Sequence, residues 1–311
     1  MEENELSYLK RFYIYQKERF PIIITLVATL AFTFSAISYS LLSRGLEGFV
    51  SWEDYFIAVF AAFTLFFLVR VFDEFKDKKE DAKFRKYLPV PRGLIKLTEL
   101  RNLAIIIVVL QLTIIALFQT KMLPLYLIVL AFLCLMGVEF FIPKFLKPRQ
   151  ILYITSHMLI FPLLDLYSSG VDWALNGNSP HLGLLFFIAV SYMDGLLVEF
   201  GRKMKAPEDE EENVVSYTGM WGVKGAVSVW MITLLTTLTL AIMTANYAGY
   251  GLPAIVILGS MAALAAIPAI LFARKPNKKT AKGVEKISGL WTVCMYLSLG
   301  GIPMLMNLLS A

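Results

Sequence analysis

The sequence predicts an all-α, polytopic membrane protein, with nine transmembrane helices bundled around a central apolar pocket and cytoplasmic loops capping it. Composition is the first observation: 58% of the 311 residues are hydrophobic and 17% charged, against roughly 45–50% and about 25% in soluble domains. The second is a series of apolar runs at 21–42, 55–72, 103–118, 124–142, 151–166, 184–200, 226–248, 252–272 and 288–309. Only α-helices suit such runs, because lipid cannot satisfy an open backbone. The third is charge: all but three of the 29 Lys and Arg residues fall in alternate inter-helix segments, the exceptions being Arg44, Lys121 and Arg70. By the positive-inside rule the N-terminus is cytoplasmic and the C-terminus outside. A single domain over residues 1–311, in a cell inner or plasma membrane, is the expectation.

These features exclude a disulfide scaffold, a disordered chain and a soluble α/β enzyme. Cys134 and Cys294 both lie in apolar runs, as core-filling residues do. The acidic start, Met1 to Glu5, lacks the basic region of a signal peptide. Residues 1–20 mix Leu6, Leu9, Phe12, Tyr13 and Ile14 with Lys10, Arg11, Lys17 and Arg19, as an interfacial helix does. The net charge of +5 tracks topology and fits membrane lipid head groups; no Gly-rich loop or aromatic-basic ladder indicates nucleic acid.

Chemistry concentrates in two long cytoplasmic loops, 73–102 and 201–225. Asp73, Asp77 and Asp81 recur every four residues after span two, with Glu74 beside them. A helix continuing from the span lines them on one face. Carboxylates so spaced repel unless something neutralises them. A row facing a pocket therefore suggests a divalent cation, and an oxygen-rich site with room for phosphate suits Mg²⁺. The same spacing suits a solvated, ion-paired helix end, because Lys76, Lys78, Lys79 and Lys83 are interleaved. Arg70 and Asp73 emerge from an unbroken apolar run, where charge is costly and usually functional. After span six come Asp194, Glu199, Arg202 and Lys203, then the acidic run from Glu208 to Glu212 and the stretch Ser216 to Gly222. Glu199 with Lys203 also reads as a plain helix-end pair, and the acidic run as a solvated loop.

The pattern Arg70-x-x-Asp73-Glu74-x-x-Asp77-x-x-x-Asp81 after the second of nine helices, with Pro89 to Ile95 downstream, resembles the first motif of UbiA-type intramembrane prenyltransferases. Asp73 stands where that family usually has Asn, and Leu88 replaces its usual Arg. The second motif is matched less closely: Glu199 stands for the first acid, Arg202 and Lys203 fall near the second, and Thr218 to Gly222 resembles the Thr…Gly element behind an acidic insertion.

The resemblance implies Mg²⁺-dependent transfer of a prenyl group from a prenyl diphosphate to a lipophilic or aromatic acceptor in the bilayer, through an allylic carbocation. It implies a first metal site of Asp73, Asp77 and Asp81 supported by Glu74, and a second of Glu199 with Asp209. Arg70, Lys76, Lys83, Arg85, Arg202 and Lys203 are the diphosphate partners it implies. Asp194 joins Asp73, Asp77, Asp81 and Glu199 as a catalytic acid, a helix–helix hydrogen bond being its alternative. Mg²⁺ and cations neutralise a leaving diphosphate, while a dry bundle protects the cation. A UbiA-type terpene cyclase would use the same ionisation. A transporter would place acids near the midplane between broken helices; here they gather at one face. The Asp-Gly-x-x-Ala-Arg signature of a CDP-alcohol phosphotransferase is absent after Asp194-Gly195. Among the intramembrane polar residues, His157 and Asp165 lie eight apart on span five, as a proton relay or as interhelical bonding groups. Glu139 ends span four within reach of the pocket or the interface, and His181 lies in an outside loop.

Overall fold

A computed structural model describes residues 6–211 and 214–310, and every regular element among them is helical. Met1 to Glu5 and Glu212 of the sequence reading lie outside the described residues. Nine membrane-length apolar spans are present among the described residues: Ile22–Ser43, Trp52–Lys76, Leu97–Phe118, Thr120–Gly137, Gln150–Trp173, Gly183–Arg202, Tyr217–Tyr247, Gly251–Arg274 and Lys278–Ser310. The chain divides into two compact units, Met1–Leu30 with Ser51–Gln150, and Ala31–Val50 with Ile151–Ala311.

The first unit holds α1 (Tyr8–Arg19), the start of α2 (Ile22–Ser43), α3 (Trp52–Lys76), α4 (Lys78–Phe84), α5 (Leu97–Phe118), α6 (Leu123–Gly137) and α7 (Pro143–Leu146). Ser51 starts α3 by accepting the Asp54 N–H at 3.0 Å, with Glu53 and Asp54 in the first turn facing the positive helix end. α3 packs on α5 and α6. Tyr15, Phe20, Phe67, Val71, Ile95 and Leu100 form a buried core that fastens α1 to α3 and the start of α5. Three ion pairs reinforce it: Arg11 with Glu99 at 2.6 Å, Glu18 with Arg92 at 2.8 Å and Arg19 with Glu74 at 2.7 Å.

The second unit holds the rest of α2, then α8 (Gln150–His157), α9 (Ile160–Trp173), α10 (Gly183–Arg202), α11 (Tyr217–Tyr247), α12 (Gly251–Arg274), α13 (Lys278–Tyr296) and α14 (Ile302–Ser310). α10 packs against α9, α11 and α13, and α12 against α11 and α13. Trp230 and Trp291 are fully buried, and the Trp230 indole N–H donates to Ser288 Oγ at 3.0 Å. A wide π turn at Leu297–Gly301 joins α13 to α14. A Cβ on Gly300 would stand 2.0 Å from the Ser35 carbonyl oxygen, so only glycine admits this approach to α2.

Several boundaries differ from the apolar runs, among them the ninth span, which starts at Lys278 rather than 288. At three of them, polar residues that found partners give the reason. The third span begins at Leu97 rather than 103, since Glu99 accepts the Lys96 N–H at 2.8 Å and caps the helix. The fifth reaches Trp173: Ser168, Ser169 and Asp172 are buried, and Asp172 accepts from Ser40 at 2.7 Å and pairs with Arg44. The seventh starts at Tyr217, inside the segment read as loop, with a break at Gly222 where φ is 68°.

Candidate active site

The first acidic motif spans a helix junction. α3 ends at Lys76, Asp77 bends the chain at φ −89° and ψ 1°, and α4 resumes at Lys78. The hydrogen-bond rhythm survives, because the Asp77 N–H donates to Asp73 O and the Asp81 N–H to Asp77 O, both at 2.9 Å. The backbone therefore stays helical in its bonding across the bend.

Each acid has a distinct environment. Glu74 is only 1% exposed and accepts from Arg19 Nε at 2.7 Å, with Arg70 Nε at 3.4 Å. Asp81, 3% exposed, faces Arg85 at 3.3 Å. Asp73 sits 3.2 Å from Lys76 and 3.7 Å from Arg70. Asp77 makes no ion pair among the described residues. Burial raises its carboxyl above the ordinary aspartate range; Lys76 opposes that, while Asp73, Asp81 and Glu80 reinforce it. Burial likewise raises Asp81 against the opposing charges of Arg85, Arg19 and Arg70. The Tyr15 hydroxyl is pushed up by burial and then by Glu74.

Glu74, Lys78, Asp81, Ala82, Val90 and Pro91 line a cavity of about 110 Å³. The turn carrying Val90 and Pro91 folds back because the Arg92 N–H donates to Leu88 O and the Leu94 N–H to Pro89 O. Two carboxylates thus border a space whose acids are backed by Arg19, Arg70 and Arg85, with Lys78 on the wall. Arg70, Lys76 and Arg85 of the predicted cations join this group. Lys83 does not: it lies over the Phe84 ring at 4.7 Å.

Arg19, Tyr15 and Lys78 belong to this site and were not singled out from the sequence. Arg19 and Tyr15 arrive from α1, more than 50 positions upstream of Glu74 in the chain. Lys78 was legible only as one of several interleaved lysines.

In the second unit, Glu199 at the end of α10 is buried between Arg202, at 2.5 Å, and Lys203, at 2.7 Å. Asp209 pairs with Lys278 at 3.2 Å, and Glu208 accepts the Lys278 N–H at 3.0 Å. The structure thus gives Glu199 and Asp209 separate cationic partners. Glu210 accepts from Ser216 and Thr218, and Ser216 caps α11 by accepting the Gly219 N–H at 2.8 Å. The acidic run therefore ties the loop to the starts of α11 and α13. Phe200, Tyr217 and Trp221 pack as a ring cluster beside it. Asp194 is buried five residues before Glu199 in α10. His157 and Asp165 are separated by the break between α8 and α9, and Asp165 accepts from Tyr296 OH at 2.8 Å.

The carboxylates of the first motif are hard oxygen donors of the kind Mg²⁺ takes, and Asp77 is free of ion pairs. No three His, Cys, Asp or Glu side chains among the described residues converge to hold a metal ion. Asp73, Glu74 and Asp81 face Lys or Arg instead.

The model of the UbiA prenyltransferase family matches residues 29–293. Two solved structures share the fold. One, described as an apo UbiA homolog from Aeropyrum pernix K1, is 18% identical, with 90% of this chain and 98% of that one covered at a TM-score of 0.64. The other, from a study of digeranylgeranylglyceryl phosphate synthase in membranes, is 19% identical, with 94% and 99% covered at 0.61. No curated protein sequence matches at a significant level. The chain belongs to the UbiA prenyltransferase family.

Proposed function

We propose that this protein transfers a prenyl group from a prenyl diphosphate to a lipophilic acceptor within the membrane. The observation that carries the reading is the cavity bordered by Glu74 and Asp81 and backed by Arg19, Arg70, Arg85 and Lys78. Such a mix of buried acids and cations suits a diphosphate, whose charge grows as it leaves. Holding Mg²⁺, which would neutralise charge at the leaving oxygens, would require Asp73, Glu74 and Asp81 to turn from their Lys and Arg partners toward Asp77. Asp77 is the acid best placed to accept it, since no ion pair must first be broken.

Arg19, Arg70, Arg85 and Lys78 bind and orient the phosphoryl oxygens. In the second unit, Arg202 and Lys203 are each already holding Glu199. Lys203 thus stands as a built-in cation where the family's second motif carries an acid. The apolar spans supply a water-poor path for the hydrocarbon chain.

The test is product analysis by mass spectrometry after incubating purified protein with Mg²⁺, prenyl diphosphates of graded length and membrane lipid extract. A prenylated lipid that forms only when the extract is present supports the proposal. A cyclised hydrocarbon formed without extract would assign cyclase activity, and an absence of diphosphate release at every chain length would refute the ionisation chemistry itself.

A further inference from the structure

The hairpin that joins α12 to α13 carries six cations, Arg274, Lys275, Lys278, Lys279, Lys282 and Lys286, against one acid, Glu285. Lys278 is taken by Asp209 at 3.2 Å. The other five cations are exposed and form no ion pair among the described residues.

Helix register decides where these charges stand. Asn277 caps α13 by accepting the Thr280 N–H at 3.0 Å, so the helix is formed from Lys278 onward. Lys279, Lys282 and Lys286 then recur at intervals of three and four on one exposed face. The same face continues to Leu290, which is 51% exposed. α12 repeats the arrangement in the opposite direction. Leu264, Ile267 and Leu271 are exposed at intervals of three and four, and Arg274 and Lys275 end the helix. A Cβ on Gly283 would stand 3.5 Å from Pro268 Cβ, so the two helices meet beside Lys282.

Left to water, this pattern is costly. Lys278 with Lys282, and Lys282 with Lys286, are like charges four residues apart on a helix, and they repel. Lys278 and Lys279 also stand at the positive end of the helix dipole, where cations are disfavoured. An anion lying along the row relieves both. The apolar rows say which anion. Both run along membrane-length spans and stop at the cations, as the chains of a lipid stop at its phosphate. An acidic protein segment would use the cations but not the apolar rows that lead to them. We infer that Arg274, Lys275, Lys279, Lys282 and Lys286 bind the headgroup phosphates of anionic lipids in the surrounding bilayer. The inference is independent of the transfer reaction, because it rests on charge, exposure and helix register in the second unit alone.

The test reads lipid preference at this surface. Gly289 follows Lys286 on α13, is exposed, and a Cβ there meets nothing within 4 Å. Gly289→Cys in a Cys134→Ala/Cys294→Ala background therefore accepts a fluorophore, and the full chain is reconstituted in phosphatidylcholine vesicles. Quenching by brominated phosphatidylglycerol is compared with quenching by brominated phosphatidylcholine. The labelled protein should prefer phosphatidylglycerol about fivefold or more, the ratio for about 1 kcal/mol from one cation at an anionic surface. That preference should fall in about 1 M salt, which screens exposed charge. Lys279→Gln/Lys282→Gln/Lys286→Gln should erase most of it, and Lys279→Arg/Lys282→Arg/Lys286→Arg should keep it. Three results would overturn the proposal: no preference in the labelled protein, an unchanged preference in the triple Gln variant, or an equal loss in Lys10→Gln/Lys17→Gln, whose exposed cations lie on α1. If the triple Gln variant fails to fold, the salt dependence and the triple Arg variant still decide it.

Discussion

Arg19 Nε lies 2.7 Å from Glu74 Oε1, so the last turn of α1 neutralises a carboxylate that α3 has buried. Arg70 contributes a weaker contact at 3.4 Å. Removing one partner of a buried pair leaves an uncompensated charge, at a cost of about 3 kcal/mol toward the low end for such pairs. Arg19→Ala should therefore lower Tm markedly in detergent, and adding Glu74→Gln should recover much of the loss. A double mutant no more stable than Arg19→Ala would show that α1 is held by its apolar contacts alone.

Asp77 and Asp81 carry carboxyls raised by burial. A raised acid favours the folded state below its unfolded value, near pH 3.9, and that advantage is lost as pH climbs through the folded value. Metal-free protein should thus lose stability across the range just above the ordinary aspartate titration. Mg²⁺ affinity should strengthen over the same range as protons leave. Asp77→Asn should reduce both trends, which calorimetric titration and unfolding across pH would register.

Gly300 meets the Ser35 backbone so closely that a methyl group cannot enter without moving α2. Gly300→Ala should destabilise by about 1–3 kcal/mol, as overpacking does. Gly259 in α12 faces open space, so Gly259→Ala should be neutral or gain up to about 1 kcal/mol from helix propensity. Thermal unfolding of the two variants side by side tests the contrast.

Glu199 occupies both Arg202 and Lys203. Freeing them with Glu199→Gln should hold or raise affinity for inorganic pyrophosphate. Lys203→Ala should weaken it about tenfold, or about 1.4 kcal/mol. Equal binding by wild type and Lys203→Ala, measured calorimetrically, would show that Lys203 holds no pyrophosphate.

The spans were legible because length and apolarity alone decide what lipid accepts, and the alternation of Lys and Arg fixed their number. Their ends were not, because Glu99, Asp172 and Ser216 are polar residues whose partners decide whether the helix continues. The Arg70 to Asp81 motif was legible from spacing, but the bend at Asp77 and the Lys and Arg partners of Asp73, Glu74 and Asp81 were not. Arg19 was invisible as a site residue, since its meaning depends on α1 folding back over α3. The acidic run from Glu208 reads in sequence as either solvated loop or ligands; Asp209 and Glu210 turn out to be holding Lys278, Ser216 and Thr218.

In the proposed reaction, the acids and cations around the first-unit cavity ionise a prenyl diphosphate. The most direct measurement is the rate of diphosphate release in nanodiscs, with and without Mg²⁺, for wild type, Asp77→Asn and Glu80→Gln. Glu80 pairs outward with Lys147 and serves as the control. Mg²⁺-dependent release that Asp77→Asn abolishes and Glu80→Gln retains is the predicted result. Release that proceeds equally in Asp77→Asn and wild type would show that Asp77 plays no part in ionisation.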